Sequence, residues 1–268
     1  MKKVAVLAFS ILLLFAIGAQ ADTVYSDYST IPPNVASLGY QATQTAEFGD
    51  AITLASGGRL LTTVDVVMSN WAKESTYEAV GTSAGYSHPL TLNLYNYTAD
   101  GSVGTLFATK TINAFIQWRP EADAACTDGR WMAADAVCYN GLAQEVSFDF
   151  TGMNVNLPDT FIYGLAYNTQ SWGANPIGAP GPYNSLNFGL EGVDLVGSSV
   201  DPDTAYWNTK HAPYYTDGGA AGSGIFRADT LWSGYQGEVR FNAVPEPASL
   251  AMFGSGLLGF AALLRRKK

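Results

Sequence analysis

The segment Leu90-Thr91-Leu92-Asn93-Leu94-Tyr95 decides the fold class. Its leucines recur at every second position, so Leu90, Leu92 and Leu94 share one face of an extended chain, while Thr91, Asn93 and Tyr95 share the other. An α-helix would scatter the three leucines around its axis. The same period governs Val146-Ser147-Phe148-Asp149-Phe150 and Glu238-Val239-Arg240-Phe241. In Leu60–Met68 it places Leu60, Thr62, Val64, Val66 and Met68 on one face. Such alternation marks antiparallel strands with one face on a core. No stretch between Asp22 and Ala243 keeps an apolar stripe of period 3.6 for three turns.

Working outward, turn residues punctuate these strands. Ser56-Gly57-Gly58, Ala99-Asp100-Gly101, Asp128-Gly129, Leu157-Pro158-Asp159 and Asp217-Gly218-Gly219 tolerate positive φ or preset a turn. The expected strands are 50–56, 60–69, 89–97, 104–112, 145–150, 161–168, 184–189 and 237–242, with Ala99–Ser102 closing one hairpin. Short strands at this spacing predict an all-β, antiparallel β-sandwich of jelly-roll type. No internal repeat and no Pro- or Ser-rich linker divides residues 22–243. One domain is expected there, with 170–235 as its loop-rich part.

The two ends read differently. Lys2 and Lys3, the apolar run Val4–Ile17 and Ala19-Gln20-Ala21 follow the order of a signal peptide, residues 1–21, cut between Ala21 and Asp22. At the other end, Val244-Pro245-Glu246-Pro247 is a stiff extended spacer, because each proline fixes its own φ and disfavours helix before it. An uncharged stretch, Leu250–Leu264, and the basic stop Arg265-Arg266-Lys267-Lys268 complete residues 244–268. A short transmembrane helix is expected there, its cations held on the cytoplasmic side and the body on the far side of the inner membrane. Gly254-Ser255-Gly256-Leu257-Leu258-Gly259 matches a dinucleotide fingerprint in letters only. It lacks the strand before it and the acidic residue beyond that the chemistry needs.

Val244-Pro245-Glu246-Pro247, an apolar helix and a basic terminus, in that order and behind a leader, resemble the PEP-CTERM sorting signal. That signal is found on exported proteins of Gram-negative bacteria that make exopolysaccharide. The resemblance covers the last 25 or so residues. It implies signal peptidase and an exosortase as processing enzymes, and passage through the inner membrane. Release to the cell surface or extracellular matrix, in the company of exopolysaccharide and biofilm, would follow. The body is also similar, less specifically, to sandwich ectodomains of exported bacterial proteins. Asp100-Gly101-Ser102-Val103-Gly104, Arg119–Asp123 with Cys126 and Cys138, Tyr163–Thr169 and Asn175-Pro176-Ile177-Gly178 carry that likeness. It implies a fold and no activity.

Charge and residue types then exclude several chemistries. Six of the 14 basic residues and one of the 23 acidic ones lie in the ends, which leaves the body at a formal charge of −14. Nucleic acid and anionic lipid would be repelled, so neither is expected as a partner of the body. Cys126 and Cys138 are the whole supply of cysteine, and in an oxidising compartment they are expected to pair as a disulfide. His88 and His211 are the only histidines, and no G-x-S-x-G or H-E-x-x-H occurs, so neither a catalytic triad nor a zinc site is expected. Both are expected at exposed strand and loop edges. Asp149 should point outward from its strand, Glu121 and Asp123 flank the disulfide loop, and nothing selects a glycosidase pair.

No cofactor is expected. Calcium is the alternative at Asp201-Pro202-Asp203 and Asp217-Gly218-Gly219, whose oxygens would suit it, although turn formation explains the same residues. Trp172, Trp207, Tyr214, Tyr215 and Trp232 could stack on sugar rings, or else close the ends of the core. The sequence therefore reads as a non-enzymatic surface or matrix protein. A carbohydrate-binding module and a polysaccharide-degrading enzyme are the alternatives.

Overall fold

The structure is a computed structural model that describes residues 21–43, 45–169, 181–209, 226–230, 232 and 234–245. Its strands are β1 (Asp22–Ser26), β2 (Ser37–Gly39), β3 (Thr45–Thr53), β4 (Leu60–Asn70), β5 (Gly85–Tyr97), β6 (Val103–Gln117), β7 (Trp131–Met132) and β8 (Cys138–Tyr139). There follow β9 (Leu142–Asp149), β10 (Thr160–Ala166), β11 (Leu186–Glu191), β12 (Ser198–Ser199), β13 (Thr204–Thr209), β14 (Arg227–Thr230), β15 (Gln236–Gly237) and β16 (Val239–Val244). A single helical turn, α1 (Tyr40–Thr43), precedes β3.

Every strand pair is antiparallel. In the first large sheet β4 is central. β9 runs along one side of it, while β16 and then β11 lie end to end along the other, with β1 outside β16. The second sheet has the order β14-β13-β3-β10-β5-β6. Rings from the two sheets meet between them. Phe161 and Tyr163 of β10 stand 5.2 and 5.9 Å from Phe241 of β16, and Phe48 of β3 stands 6.4 Å from Phe188 of β11. The inner faces of both sheets thus share one core, fed by the alternating apolar residues that the sequence displays.

Each of the eight expected strands overlaps an observed one, and Leu90, Leu92 and Leu94 are buried in β5 as their spacing requires. The expected face of β4 needs correction. Leu61, not Leu60 or Thr62, joins Val64, Val66 and Met68 in the core. The register slips between Asn242 and Ala243, so Thr62 is an extra residue opposite β16, and its hydroxyl donates to the Asn242 carbonyl at 2.8 Å. A bulge of this kind shifts the phase of a strand by one. Residues 170–235 are also richer in strand than expected. Besides β11, which answers to the expected 184–189, β12, β13 and β14 fall there, short and interrupted, where an alternation test has too few residues to register.

Two further expectations hold. The β5–β6 hairpin closes through Ala99–Ser102, where Gly101 takes φ 80°, a conformation that costs a residue with Cβ. Cys126 and Cys138 form a disulfide with Cα atoms 5.8 Å apart, beside the small β7–β8 ribbon. Among the described residues no helix is long and apolar enough to cross a membrane. The signal-peptide residues before Ala21 and the tail from Glu246 onward, with Pro247 and Arg265–Lys268, lie outside the described residues.

Candidate functional sites

The two ends of the body meet. Asp22 of β1 is the register partner of Ala243 of β16, so the residue after the expected leader and the last residue before the tail are cross-strand neighbours. β16 continues to Val244, paired with Leu60, and Pro245 follows at once. Proline cannot donate to a ladder, which ends the strand at this point. The spacer between sheet and tail is therefore very short, and whatever attaches to either end attaches at one edge of the first sheet.

The aromatic candidates divide. Trp207 and Trp232 are half-buried and packed on each other edge to face at 4.9 Å, and both lie against Phe48 at 5.7 and 5.3 Å. Trp207 Nε1 donates to Thr45 Oγ1 at 2.6 Å and Trp232 Nε1 donates to the Tyr235 carbonyl. This places them over the edge of the core with their polar tips engaged, as amphipathic rings that close a core do. Trp172, Tyr214 and Tyr215 lie outside the described residues, as do His211 and Asp217.

His88 departs from the expectation of an exposed edge residue. It is 1% exposed, stacked on Tyr183 at 5.3 Å and set edge-on to Tyr167 at 6.0 Å. The period of β5 continues toward its start, so His88 shares the inward face with Tyr86 and Leu90. Burial lowers its pKa to about 4, which keeps the ring neutral at pH 7.

The exposed acids named above serve local structure. Asp149 is exposed and accepts the Thr151 amide at 2.8 Å. Glu121 pairs with Lys73 at 3.3 Å and accepts the Ser75 amide. Asp201 accepts the Asp203 amide on Oδ1 and the Thr204 hydroxyl on Oδ2, which is the turn-forming role. Among the described residues no three His, Cys, Asp or Glu side chains converge as a metal site would require.

Sequence reasoning missed the buried acids. Glu47 of β3 points away from the core, since Phe48 points into it, yet it is only 4% exposed. Its Oε1 accepts Asn93 Nδ2 and the Tyr95 hydroxyl, each at 2.9 Å, on the outer face of the second sheet. Gly164 makes this possible, because a Cβ there would lie 2.4 Å from Glu47 Oε1. Burial holds the carboxyl at about 7, against the pull of its two donors. Asp50 is 1% exposed, neither of its carboxyl oxygens meets a donor at bonding distance, and burial pushes it up to about 8. Asp27 and Glu238 are likewise buried, each with one oxygen left unpartnered.

The Asp50 carboxyl shares the inner face with Phe48 and Ile52, whereas a cleft of about 380 Å³ opens beside β3 on the face of Ala51. The Ala99–Gly101 turn, Tyr97, the Val200–Thr204 connection, Tyr206, and Ala228 and Thr230 of β14 form its walls. The Tyr206 hydroxyl donates to the Gly101 carbonyl at 2.7 Å, tying one wall to the other. Asp100 Oδ1 accepts the Thr98 hydroxyl at 2.5 Å and the Ser102 amide at 3.2 Å, and these donors hold its pKa below the usual carboxylate range. These residues come from four separate stretches, so no linear pattern announces them. A small second body of apolar side chains, Ala51, Ile162, Tyr206 and Phe226, backs the cleft on the outer face.

No curated protein and no solved structure matches the chain. Residues 243–267 match the PEP-CTERM protein-sorting motif. The match begins inside β16, at the cross-strand partner of Asp22, and runs through the Pro-Glu-Pro spacer, the uncharged stretch and the first three cations of the basic stop. An all-β body thus leads directly into a PEP-CTERM sorting motif, which implies export and processing by an exosortase.

Proposed function

We propose that the chain is a non-enzymatic protein displayed at the cell surface or in the extracellular matrix, released from the inner membrane by an exosortase acting near Pro245-Glu246-Pro247. Its body is a jelly-roll sandwich. The order β1-β16-β4-β9 facing β3-β10-β5-β6 supports this, because successive main strands pass from sheet to sheet in the alternation of that fold, with β11 to β15 added before the last strand. The sorting match at residues 243–267 carries the functional reading. The meeting of Asp22 and Ala243 supports it, since a leader and a tail held in one membrane both need to leave the body on the same side. The test is mass spectrometry of the mature C-terminus in a producing strain with and without its exosortase. Loss of Arg265–Lys268 that requires the exosortase and is blocked by replacing Pro245 and Glu246 with alanine bears the reading out. Mature extracellular protein that still ends in those four cations overturns it.

A second reading, carbohydrate binding, is favoured by the cleft between the Ala99–Ser102 and Asp201–Thr204 turns. Two carboxyl groups in one cleft, those of Asp100 and Asp201, also suit a hydrolase. Binding is the better reading because Asp201 uses both oxygens, and Asp100 uses Oδ1, to hold the turns that shape the walls.

A further inference from the structure

We infer that the outer edge of β6 pairs with the same edge of a second copy of this chain, antiparallel, about a twofold axis at Thr111. β6 is the last strand of the second sheet and pairs with β5 alone. At 15 residues it is long for an edge. Its hydrogen-bonding phase is fixed at the Gln117 end. Gly85, opposite Gln117, spends its N–H and C=O on Thr82, so Gln117 turns its own groups away from β5. Antiparallel pairs alternate, so Phe115, Asn113, Thr111 and Thr109 turn theirs the same way. The Gln144 side chain of β9 bears this out, since it accepts the Gln117 amide at 2.7 Å and donates to the Phe115 carbonyl at 2.8 Å. Among the described residues nothing meets the backbone of Thr109, Thr111 or Asn113 on that edge, and all three are exposed.

The free run is self-complementary. Gln144 covers it from Phe115 onward, and at the other end Phe107 is an extra residue between Ala108 and Leu106, which breaks the register. Thr111 lies midway between these two limits. A twofold axis there sets Thr109 opposite Asn113 of the partner subunit and gives about six backbone hydrogen bonds, two for each facing pair. It also brings Leu106 toward Phe115 of the partner subunit at each end of the seam. Both side chains lie on the outer face, 49% and 48% exposed. Charge singles out the same surface. On a body of formal charge −14, two copies repel over most of their area, yet from Gly85 to Gln117 the only acid is Asp100, in the hairpin turn. Lys110 is the one lysine or arginine there, and it lies on the opposite side of β6 from Thr109 and Thr111, where its charge acts on Asp149 of β9. The outward side chains Thr91, Asn93, Thr109 and Thr111 bond to one another in pairs and carry no charge. Edges kept from pairing are ordinarily guarded by an outward lysine, a proline or a covering loop, and the run Thr109–Asn113 has none of these.

The experiment is cysteine cross-linking of the full chain in intact cells with a short bis-maleimide, read on gels. The native cysteines are paired with each other, so an introduced cysteine is the only free thiol among the described residues. Thr111→Cys should give a cross-linked dimer at least about tenfold more abundant than Asp229→Cys, an exposed residue on β14 at the opposite edge of the same sheet. In the Thr111→Cys chain, adding Thr109→Lys and Asn113→Lys sets like charges opposite each other twice across the seam and should lower the dimer about tenfold. Thr109→Lys with Asn113→Glu sets opposite charges there and should restore it, which separates lost pairing from lost folding. Equal cross-linking at Thr111 and Asp229, monomer alone, a cross-link to a different polypeptide, or a dimer indifferent to both charge patterns overturns the inference. The outcome is independent of the sorting result, which is read from the mature C-terminus.

Discussion

Ionising Glu47 should cost the fold stability, and the cost can be worked from its surroundings. Burial holds this carboxyl at about 7 in the folded protein, against an ordinary value of 4.5. In the unfolded chain it ionises near the ordinary value. Between those two pH values folding takes up a proton at Glu47, so stability falls as pH rises, by about 1.4 kcal/mol per pH unit. Above pH 7 both states are ionised and the loss levels off at about 3 kcal/mol. Burial raises Glu238 to about 7 and Asp50 to about 8, so both act with the same sign and extend the decline toward pH 8. Urea midpoints of the disulfide-intact protein should therefore fall from pH 5 to pH 8. Glu47→Gln keeps an Oε1 acceptor for Asn93 and Tyr95 and cannot ionise. It should exceed the wild type by up to about 3 kcal/mol at pH 8, worth several degrees in Tm, and lie within about 1 kcal/mol of it at pH 5. A wild type that gains stability from pH 5 to pH 8, or a difference between the two proteins that does not change with pH, would refute the reasoning.

Other perturbations reach the core and the disulfide loop. Phe241 is fully buried between the sheets, in ring contact with Tyr25, Phe161 and Tyr163, so Phe241→Ala should lower the unfolding free energy by about 3–5 kcal/mol, read by urea denaturation. Replacing Cys126 and Cys138 together with serine should cost about 3 kcal/mol by the entropy of the closed loop, with β7–β8 losing amide-exchange protection before the large sheets do.

The sequence displayed whatever depends on neighbours along the chain. Leu90, Leu92 and Leu94 announced a core-facing strand, and Asp100-Gly101 announced a hairpin turn, because side-chain direction and turn conformation are local properties. Cys126 and Cys138 needed only a count. What stayed hidden depends on residues far apart. The bulge at Thr62 is set by pairing with Asn242, 180 positions away, and it moved Leu61 into the core in place of Leu60. Nothing beside Glu47 in the chain marks it as buried; β5 brings Asn93 and Tyr95 to it and Gly164 leaves it room. β12 to β14 are too short for alternation to register, although Trp207 and Asn208 show inward and outward burial side by side in the folded protein.

The same distinction explains why destination was legible here and chemistry was not. A sorting enzyme reads an extended or helical segment one residue after another, so Val244-Pro245-Glu246-Pro247 and the cations at the end have to be contiguous to work at all. A cleft has no such constraint. Ala51 from β3, Asp100 from a hairpin, Asp201 from a connection and Thr230 from β14 become neighbours only when β3 has paired with β10 on one side and with β12 and β13 on the other. The two kinds of information meet at β16, which lies between β1 and β4 and passes into the sorting motif with no break. Its inward residues, Val239 and Phe241, serve the core, whereas the residues after Val244 serve transport. A change at Phe241 should therefore unfold the body while leaving the tail readable, and a change at Pro245 and Glu246 should leave the body folded and its processing blocked. Separable failures on either side of a single residue are what a folded cargo joined to a linear address requires.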